Sequence, residues 1–231
     1  MSVFALAAPS TSSVAIAGSS ERFPVRRIFC VGRNYAAHAR ELGNDERDPP
    51  FFFTKPADAV VDSGRTIPFP PLTKNLHHEI ELVAAIGKSG FRIPAVQALD
   101  HVWGYGVGID LTRRDLQEEA KKAARPWDWA KAFDLSAPCG ALIPSAQSGH
   151  PQKGRIWLSV NDTVKQEGDL AELIWPIADI VAICSEAVEL QPGDLIFTGT
   201  PAGVGPLVAG DHISGGVDGI GTIELAIGQA R

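Results

Sequence analysis

Apolar and polar positions alternate along several parts of the chain, with the period of two that is typical of β-strands. In residues 78–87 the apolar Ile80 and Leu82 alternate with the carboxylates Glu79 and Glu81. Further segments of strand character lie at 27–31, 51–54, 102–109, 194–198 and 221–227. Residues 155–161 and 163–166 flank Asn161-Asp162 and predict a hairpin. The pattern therefore predicts a chain built mainly of short strands.

Helical spacing is confined to three segments. The predicted helices are 34–42, ending at Gly43, then 112–124, and 178–190, ending before Pro192-Gly193. Thr112 and Asp115 are spaced as a capping pair at the start of the second helix. After the possible strand at 51–54, the prolines up to position 71 predict turns rather than strands as far as His77.

Scattered strands with few helices, and no regular strand–helix alternation, favour an α+β fold over a doubly wound parallel sheet. No internal repeat and no long linker follows Arg22. We expect an extended N-terminal arm at 1–22, which lacks the basic start of a signal peptide, and one catalytic domain at 23–231.

Charge and cysteine content narrow the class of protein. The formal net charge is −6, with no long run of one sign, which argues against nucleic-acid binding. No window approaches the ~18 consecutive apolar residues of a membrane span. Cys30, Cys139 and Cys184 are too far apart for a structural zinc site or a disulfide framework, so we expect a cytoplasmic protein.

Three carboxylates form the sharpest candidate site. Glu79 and Glu81 stand two residues apart on a predicted strand and must project from one face, where they repel unless a cation lies between them. Asp110 follows a glycine-rich strand, and loops beyond strand ends often carry sites. An all-oxygen set suits Mg²⁺ or Mn²⁺ better than zinc, with His77 and His78 as packing residues.

His38 and Glu41 lie at i and i+3 of a predicted helix, so the carboxylate can orient the imidazole as a general base. An ordinary surface pair is the alternative.

Other polar residues occupy positions suited to a substrate site. Arg114 and Gln117 lie one helical turn apart near Asp110, either beside the ion or on a solvated face. Lys131, among aromatic residues, is either a buried cation aimed at an oxyanion or a lysine whose stem covers apolar surface. The 199–205 loop could present backbone N–H groups to an anion.

Six segments together resemble the fumarylacetoacetate hydrolase family, most closely its fumarylpyruvate hydrolase branch. They are FCVGRNYAAHARELG, FFFTKPADAVV, NLHHEIELVAAIG, GYGVGIDLTRRDLQ, RPWDWAKAFD and LIFTGTPAGVGP, in the family's order between about Phe23 and Gly228. The resemblance implies a mixed β-roll, a homodimer, and Mg²⁺ or Mn²⁺ held by Glu79, Glu81 and Asp110. Thr54, where relatives often have an apolar residue, departs from the pattern.

The same resemblance implies roles for the remaining residues. His38 and Glu41 would activate water, while Gln117 and Lys131 would stabilise an oxyanion. The residues expected to bind substrate are Arg33, Lys55, Arg114 and Thr200. Arg33 and Arg40 are both candidates for the partner of a distal carboxylate.

The implied reaction is metal-dependent cleavage of a carbon–carbon bond in an acylpyruvate, with fumarylpyruvate giving fumarate and pyruvate in gentisate-type breakdown of aromatic compounds. Decarboxylation of oxaloacetate, isomerisation or hydration of a dienoic diacid, and a non-catalytic metabolite-binding subunit stay open as alternatives.

Overall fold

The computed structural model describes residues 5–36 and 49–230. Its strands are β1 (Ser13–Ala15), β2 (Arg22–Pro24), β3 (Arg27–Gly32), β4 (Phe51–Lys55), β5 (Val60–Asp62), β6 (Arg65–Pro68), β7 (Leu76–His78), β8 (Ile80–Ile86), β9 (Val102–Ile109), β10 (Thr112–Arg113), β11 (Ala137–Cys139), β12 (Ile143–Pro144), β13 (Arg155–Val160), β14 (Thr163–Asp169), β15 (Asp194–Phe197), β16 (Gly205–Leu207), β17 (His212–Val217) and β18 (Gly221–Gly228).

The helices are short and lie between these strands. The described α-helices are Ala95–Ala98, Arg114–Lys122, Asp128–Lys131, Ser145–Ser148 and Ile177–Ala187, and the 3₁₀ turns are Ala57–Ala59, Leu99–His101 and Leu170–Glu172. None of the described helices is long and apolar enough to cross a membrane.

Two large sheets form the body of the protein. The first has the strand order β4-β3-β15-β8-β9-β11-β5, with β12 beside β9, and it mixes parallel and antiparallel neighbours. The second has the order β14-β13-β17-β18-β6. A small sheet, β10-β7-β16, lies next to the start of β8. This architecture confirms the predicted α+β mixed roll.

Strand β8 is buried along its whole length because both of its faces are covered. Leu82 and Ala84 belong to a core cluster that also contains Leu158 of the second sheet. Val83 and Ala85 point the other way, into a second cluster. A strand buried on both faces is stabilised by roughly 1.5–3 kcal/mol for each large apolar side chain removed from water.

The hairpin of β1 and β2 covers part of that second cluster. Val14 is fully buried and Phe23 nearly so, and β1 pairs with β2 across the boundary expected at residue 22. The division of the chain into an arm and a catalytic domain stays a prediction.

The predicted hairpin is confirmed, since β13 and β14 are paired and both turn residues have positive φ, 49° for Asn161 and 62° for Asp162. The prediction of turns throughout the proline-rich region is wrong, because β5 and β6 lie within it. Both strands are at sheet edges, where proline is tolerated. The predicted 34–42 helix lies mostly outside the described residues.

The predicted capping pair at Thr112 is also wrong. Thr112 belongs to β10, which pairs with β7, and the helix begins at Arg114. The Thr112 hydroxyl donates to the Asp110 carbonyl at 3.1 Å. The Asp115 carboxylate instead accepts hydrogen bonds from the Thr73 hydroxyl at 2.6 Å and the Lys74 N–H at 2.9 Å. The loop at 73–74 therefore binds Asp115, the residue that the sequence spacing had paired with Thr112.

Asn34 fixes the end of β3 against two other segments. Its side-chain amide donates to the carbonyls of Trp175 at 3.0 Å and Thr198 at 2.8 Å, and its carbonyl accepts from the Trp175 N–H at 2.8 Å. The residue is fully buried.

Replacing Asn34 with Ala leaves these buried backbone groups without partners, so we expect the free energy of unfolding to fall by about 2–3 kcal/mol. Urea denaturation measures this. The control Gln97→Ala removes an exposed amide and should stay within about 0.5 kcal/mol of the original chain. Equal stability of both variants would contradict the structural role of Asn34.

Candidate active site

Strand register brings three carboxylates together. Ile80 of β8 pairs with Ile109 of β9, and the Asp110 N–H donates to the Glu79 carbonyl at 2.8 Å. Glu79 and Glu81 lie two positions apart, so both side chains project to the side where Asp110 lies. One oxygen from each of the three buried residues lies within 4.8 Å of the others.

Three buried cations balance these carboxylates. The Lys131 ammonium lies 2.8 Å from Glu79 Oε2 and 2.6 Å from Asp110 Oδ2. Lys55 Nζ lies 2.8 Å from Asp110 Oδ1, and Arg114 is ion-paired with Glu79 Oε1. Burial opposes the charge of Lys131, but Asp110 and Glu79 outweigh this cost and raise its pKa.

The residues present fit a divalent cation. Asp110 Oδ1 is buried and, although close to Lys55, has no hydrogen-bond donor in suitable geometry among the described residues. Burial, together with the charges of Asp110 and Glu79, holds the pKa of Glu81 well above its usual range. An added cation would give Asp110 Oδ1 a partner and would stabilise the ionised form of Glu81. Carboxylate oxygens are the ligands that hard divalent cations prefer.

The glycine loop after β15 serves one of these carboxylates. The Gly199 N–H donates to Glu81 Oε2 at 2.7 Å. Gly199 has a φ of +100°, and a Cβ there would lie 2.7 Å from the Asn34 Cβ, so the position requires glycine. The loop does donate a backbone N–H to a carboxyl group, and among the described residues that group belongs to Glu81.

Arg114 and Gln117 lie beside the carboxylates and not on a solvated helix face. Both are buried, and Arg114 Nη1 donates to Gln117 Oε1 at 2.5 Å. Arg114 therefore faces inward to Glu79. Lys131 is likewise a buried cation.

Gln166 holds the other side of the site, and sequence reasoning missed it. Its side chain donates to the Thr200 hydroxyl at 2.8 Å and accepts from the Ile80 N–H at 3.1 Å. His78 Nδ1 lies 2.9 Å from the same carbonyl oxygen. His78 is thus buried in a packing network, as expected, and His77 contacts Asn75 at 2.9 Å. Gln166 lies in the otherwise largely exposed β14, and no pattern marks it.

A cleft opens above the carboxylates. It is lined by Val31, Gly32, Arg33, Phe51, Phe53, Glu79, Glu81, Asp110, Arg114, Gln117, Lys121, Trp127, Lys131 and Thr200. Lys55 contacts Asp110 but is not one of the residues that line the cleft. His38 and Glu41 lie outside the described residues, as does Arg40. Phe51, Phe53, Lys121 and Trp127 were not expected from the sequence.

The chain resembles proteins of known structure and name. Residues 27–227 match the family described as fumarylacetoacetate (FAA) hydrolase, C-terminal. A crystal structure of fumarylpyruvate hydrolase from Pseudomonas aeruginosa, in complex with Mn²⁺ and pyruvate, is 51% identical, with a TM-score of 0.96 and coverage of 98% of this chain and 100% of that one.

Two sequence relatives carry different names. Fumarylpyruvate hydrolase of Ralstonia sp is 47% identical over 181 residues, 78% of this chain and 94% of that protein. The mitochondrial oxaloacetate tautomerase FAHD1 of Homo sapiens is 42% identical over 202 residues, 87% of this chain and 91% of that protein. The prediction of an enzyme, a hydrolase acting on carbon–carbon bonds in ketonic substances, is confirmed. The chain belongs to the fumarylacetoacetate hydrolase family.

Proposed function

We propose that this enzyme is a divalent-metal-dependent acylpyruvate hydrolase that cleaves fumarylpyruvate to fumarate and pyruvate. The observation that carries the proposal is the buried set of Glu79, Glu81 and Asp110 at the base of a cleft. Support also comes from the 51% identity to a fumarylpyruvate hydrolase whose crystal structure contains Mn²⁺ and pyruvate.

Glu79, Glu81 and Asp110 are the residues that would hold Mg²⁺ or Mn²⁺. When bound, the ion supplies positive charge and Lewis acidity at the oxygens of a 2-keto acid. The chain orients these ligands itself. Lys131 and Arg114 contact Glu79, the Gly199 N–H fixes Glu81, and Lys55 lies against Asp110. Such contacts around a ligand set commonly matter for metal affinity.

The proposed reaction is attack of water on the C4 carbonyl, followed by cleavage of the C3–C4 bond. An imidazole nitrogen of His38 takes the proton from water, and Glu41 orients the ring. Gln117 and the Lys131 ammonium stabilise the negative charge that develops on the C4 oxygen. The electrons of the broken bond leave with the pyruvate part, which takes up a proton at C3.

Substrate-binding residues surround this centre. Arg114 presents a guanidinium beside Glu79, and Thr200 is held by Gln166 at the cleft wall. Arg33 lines the same cleft. Lys55 acts through Asp110. A homodimer, a cytoplasmic location and a role in breakdown of aromatic compounds stay predictions.

A second candidate is chemistry on oxaloacetate, because a relative named oxaloacetate tautomerase is 42% identical over most of the chain. Oxaloacetate shares the 2-keto acid end of an acylpyruvate. Its tautomerisation or decarboxylation needs no attacking water.

A substrate panel with Mn²⁺ separates these possibilities. We expect fumarylpyruvate to be cleaved with a higher kcat/KM than oxaloacetate is tautomerised or decarboxylated, and expect chelation of the metal to abolish the cleavage. Faster oxaloacetate chemistry, or cleavage that survives chelation, would contradict the proposal. Binding of pyruvate without turnover of any substrate would favour a non-catalytic binding protein.

We expect Glu79→Gln, Glu81→Gln and Asp110→Asn each to weaken Mn²⁺ binding at least roughly 10-fold, about 1.4 kcal/mol, because each removes an anionic ligand. Calorimetric titration measures the affinity, and circular dichroism checks folding. Glu118→Gln makes the same chemical change at an exposed position of the Arg114–Lys122 helix and should bind Mn²⁺ normally. Normal binding by all three site variants would remove the metal assignment.

The His38→Ala variant tests water activation. Positioned general bases contribute about 10²–10⁴-fold, so kcat for fumarylpyruvate cleavage should fall roughly 10²-fold or more, and decarboxylation of oxaloacetate, which removes no proton from water, should fall much less. Glu41→Gln should have a milder effect. His212→Ala alters an exposed histidine of β17 and should leave kcat unchanged. Equal losses on both substrates would assign His38 to substrate binding and not to water activation.

A further inference from the structure

Two cations line the cleft without a carboxylate partner among the described residues. The three carboxylates at the base are equalled in number by Lys55, Lys131 and Arg114, which pair with Asp110 and Glu79. Arg33 and Lys121 also line this cleft, yet neither is ion-paired within the part of the chain that the structure describes. Among the described residues, the positive charges that line the cleft therefore outnumber its carboxylates.

Helix geometry explains the position of Lys121. It follows Arg114 by seven residues and Gln117 by four, so all three lie on one face of the Arg114–Lys122 helix. Arg114 and Gln117 are buried, whereas Lys121, near the end of the helix, is exposed. The face thus runs from the carboxylates at the base outward to a cation at the cleft mouth.

An aromatic pair connects the two cations. Phe51 and Trp127 meet edge to face, with ring centroids 5.2 Å apart. The Arg33 guanidinium lies 5.2 Å from the Phe51 centroid, and the Lys121 ammonium lies 5.1 Å from the Trp127 centroid. Aromatic faces hold cations at such distances, and the two rings place apolar surface between Arg33 and Lys121.

The two cations raise each other's electrostatic energy. Partial removal of the Lys121 ammonium from water, and then the positive charges of Arg114 and Arg33, lower the pKa of Lys121 from its ordinary value. An anion bound beside these groups would relieve the repulsion.

We propose that Lys121 and Arg33 bind the distal carboxylate of the acyl group and make the enzyme select acylpyruvates that end in a second carboxylate. This inference rests on the proposed function. The keto acid end lies over the base of the cleft, the planar unsaturated chain packs on Phe51 and Trp127, and the distal carboxylate meets the two cations. Lys121 is then a specificity-determining residue that takes no part in bond cleavage.

Steady-state kinetics of Lys121→Met and Arg33→Met test the assignment, with fumarylpyruvate compared with acetylpyruvate, which has no distal carboxylate. Methionine keeps an apolar stem over the ring while removing the charge. We expect KM for fumarylpyruvate to rise roughly 10-fold in each variant. This is the effect on affinity that the loss of one charge-assisted hydrogen bond produces. KM for acetylpyruvate and both kcat values should stay unchanged. Lys122→Met removes an exposed charge that does not line the cleft, and should change neither substrate's KM.

Equal changes on both substrates, or none, would overturn the inference. A binding measurement separates this result from failure of the proposed function. Fumarate, a dianion, and crotonate, a monoanion of the same length, are titrated into the Mn²⁺-loaded enzyme by calorimetry. Fumarate should bind more tightly than crotonate, and Lys121→Met should remove that preference even if no acylpyruvate is turned over. No preference in the original chain, or a preference that survives in Lys121→Met and Arg33→Met, would overturn the inference.

Discussion

The buried charge pairing around Glu79, Glu81 and Asp110 is the interaction on which the rest of the site depends. An ion removed from water costs several kcal/mol unless partners surround it. Here the register of β8 and β9 brings the acids together, and Lys131 bridges Glu79 and Asp110 at 2.8 and 2.6 Å. Since Lys131 ends a short helix and Lys55 ends β4, the pairing also ties these elements to the sheet.

The charge balance at the base of the cleft sets what it can bind. Three carboxylates facing three cations are close to neutral together. A divalent ion adds two positive charges, and a keto acid with one carboxylate returns only part of that negative charge. Arg33 and Lys121 at the cleft add further positive charge. A dianionic substrate fits this distribution better than a monoanionic one, because each carboxylate then has cations near it.

Much of the site could be predicted from the sequence because its residues belong to local sequence patterns. The alternation around Glu79 and Glu81 and the strand end before Asp110 are local patterns, and the structure brings these residues together. The capping pair at Thr112 failed because β7 and Thr73 compete for the same groups. Gln166 could not be found, since only the packing of β14 near Ile80 gives its amide a buried partner. Lys121 resembled a solvated helix charge, and only tertiary structure places it at the cleft.

The same distribution explains how one family can carry different reactions on related substrates. In the proposed function, the base of the cleft binds a keto acid end, which fumarylpyruvate and oxaloacetate share. Discrimination must then come from groups farther out, where the substrates differ in length and in the position of the second carboxylate. In the proposed assignment those groups are Lys121 at the helix end and Arg33 just after β3, and they can change while the buried ion pairs stay as they are. Because an unpaired buried charge is far more costly than an altered surface charge, substitution at the mouth changes specificity at little cost in stability.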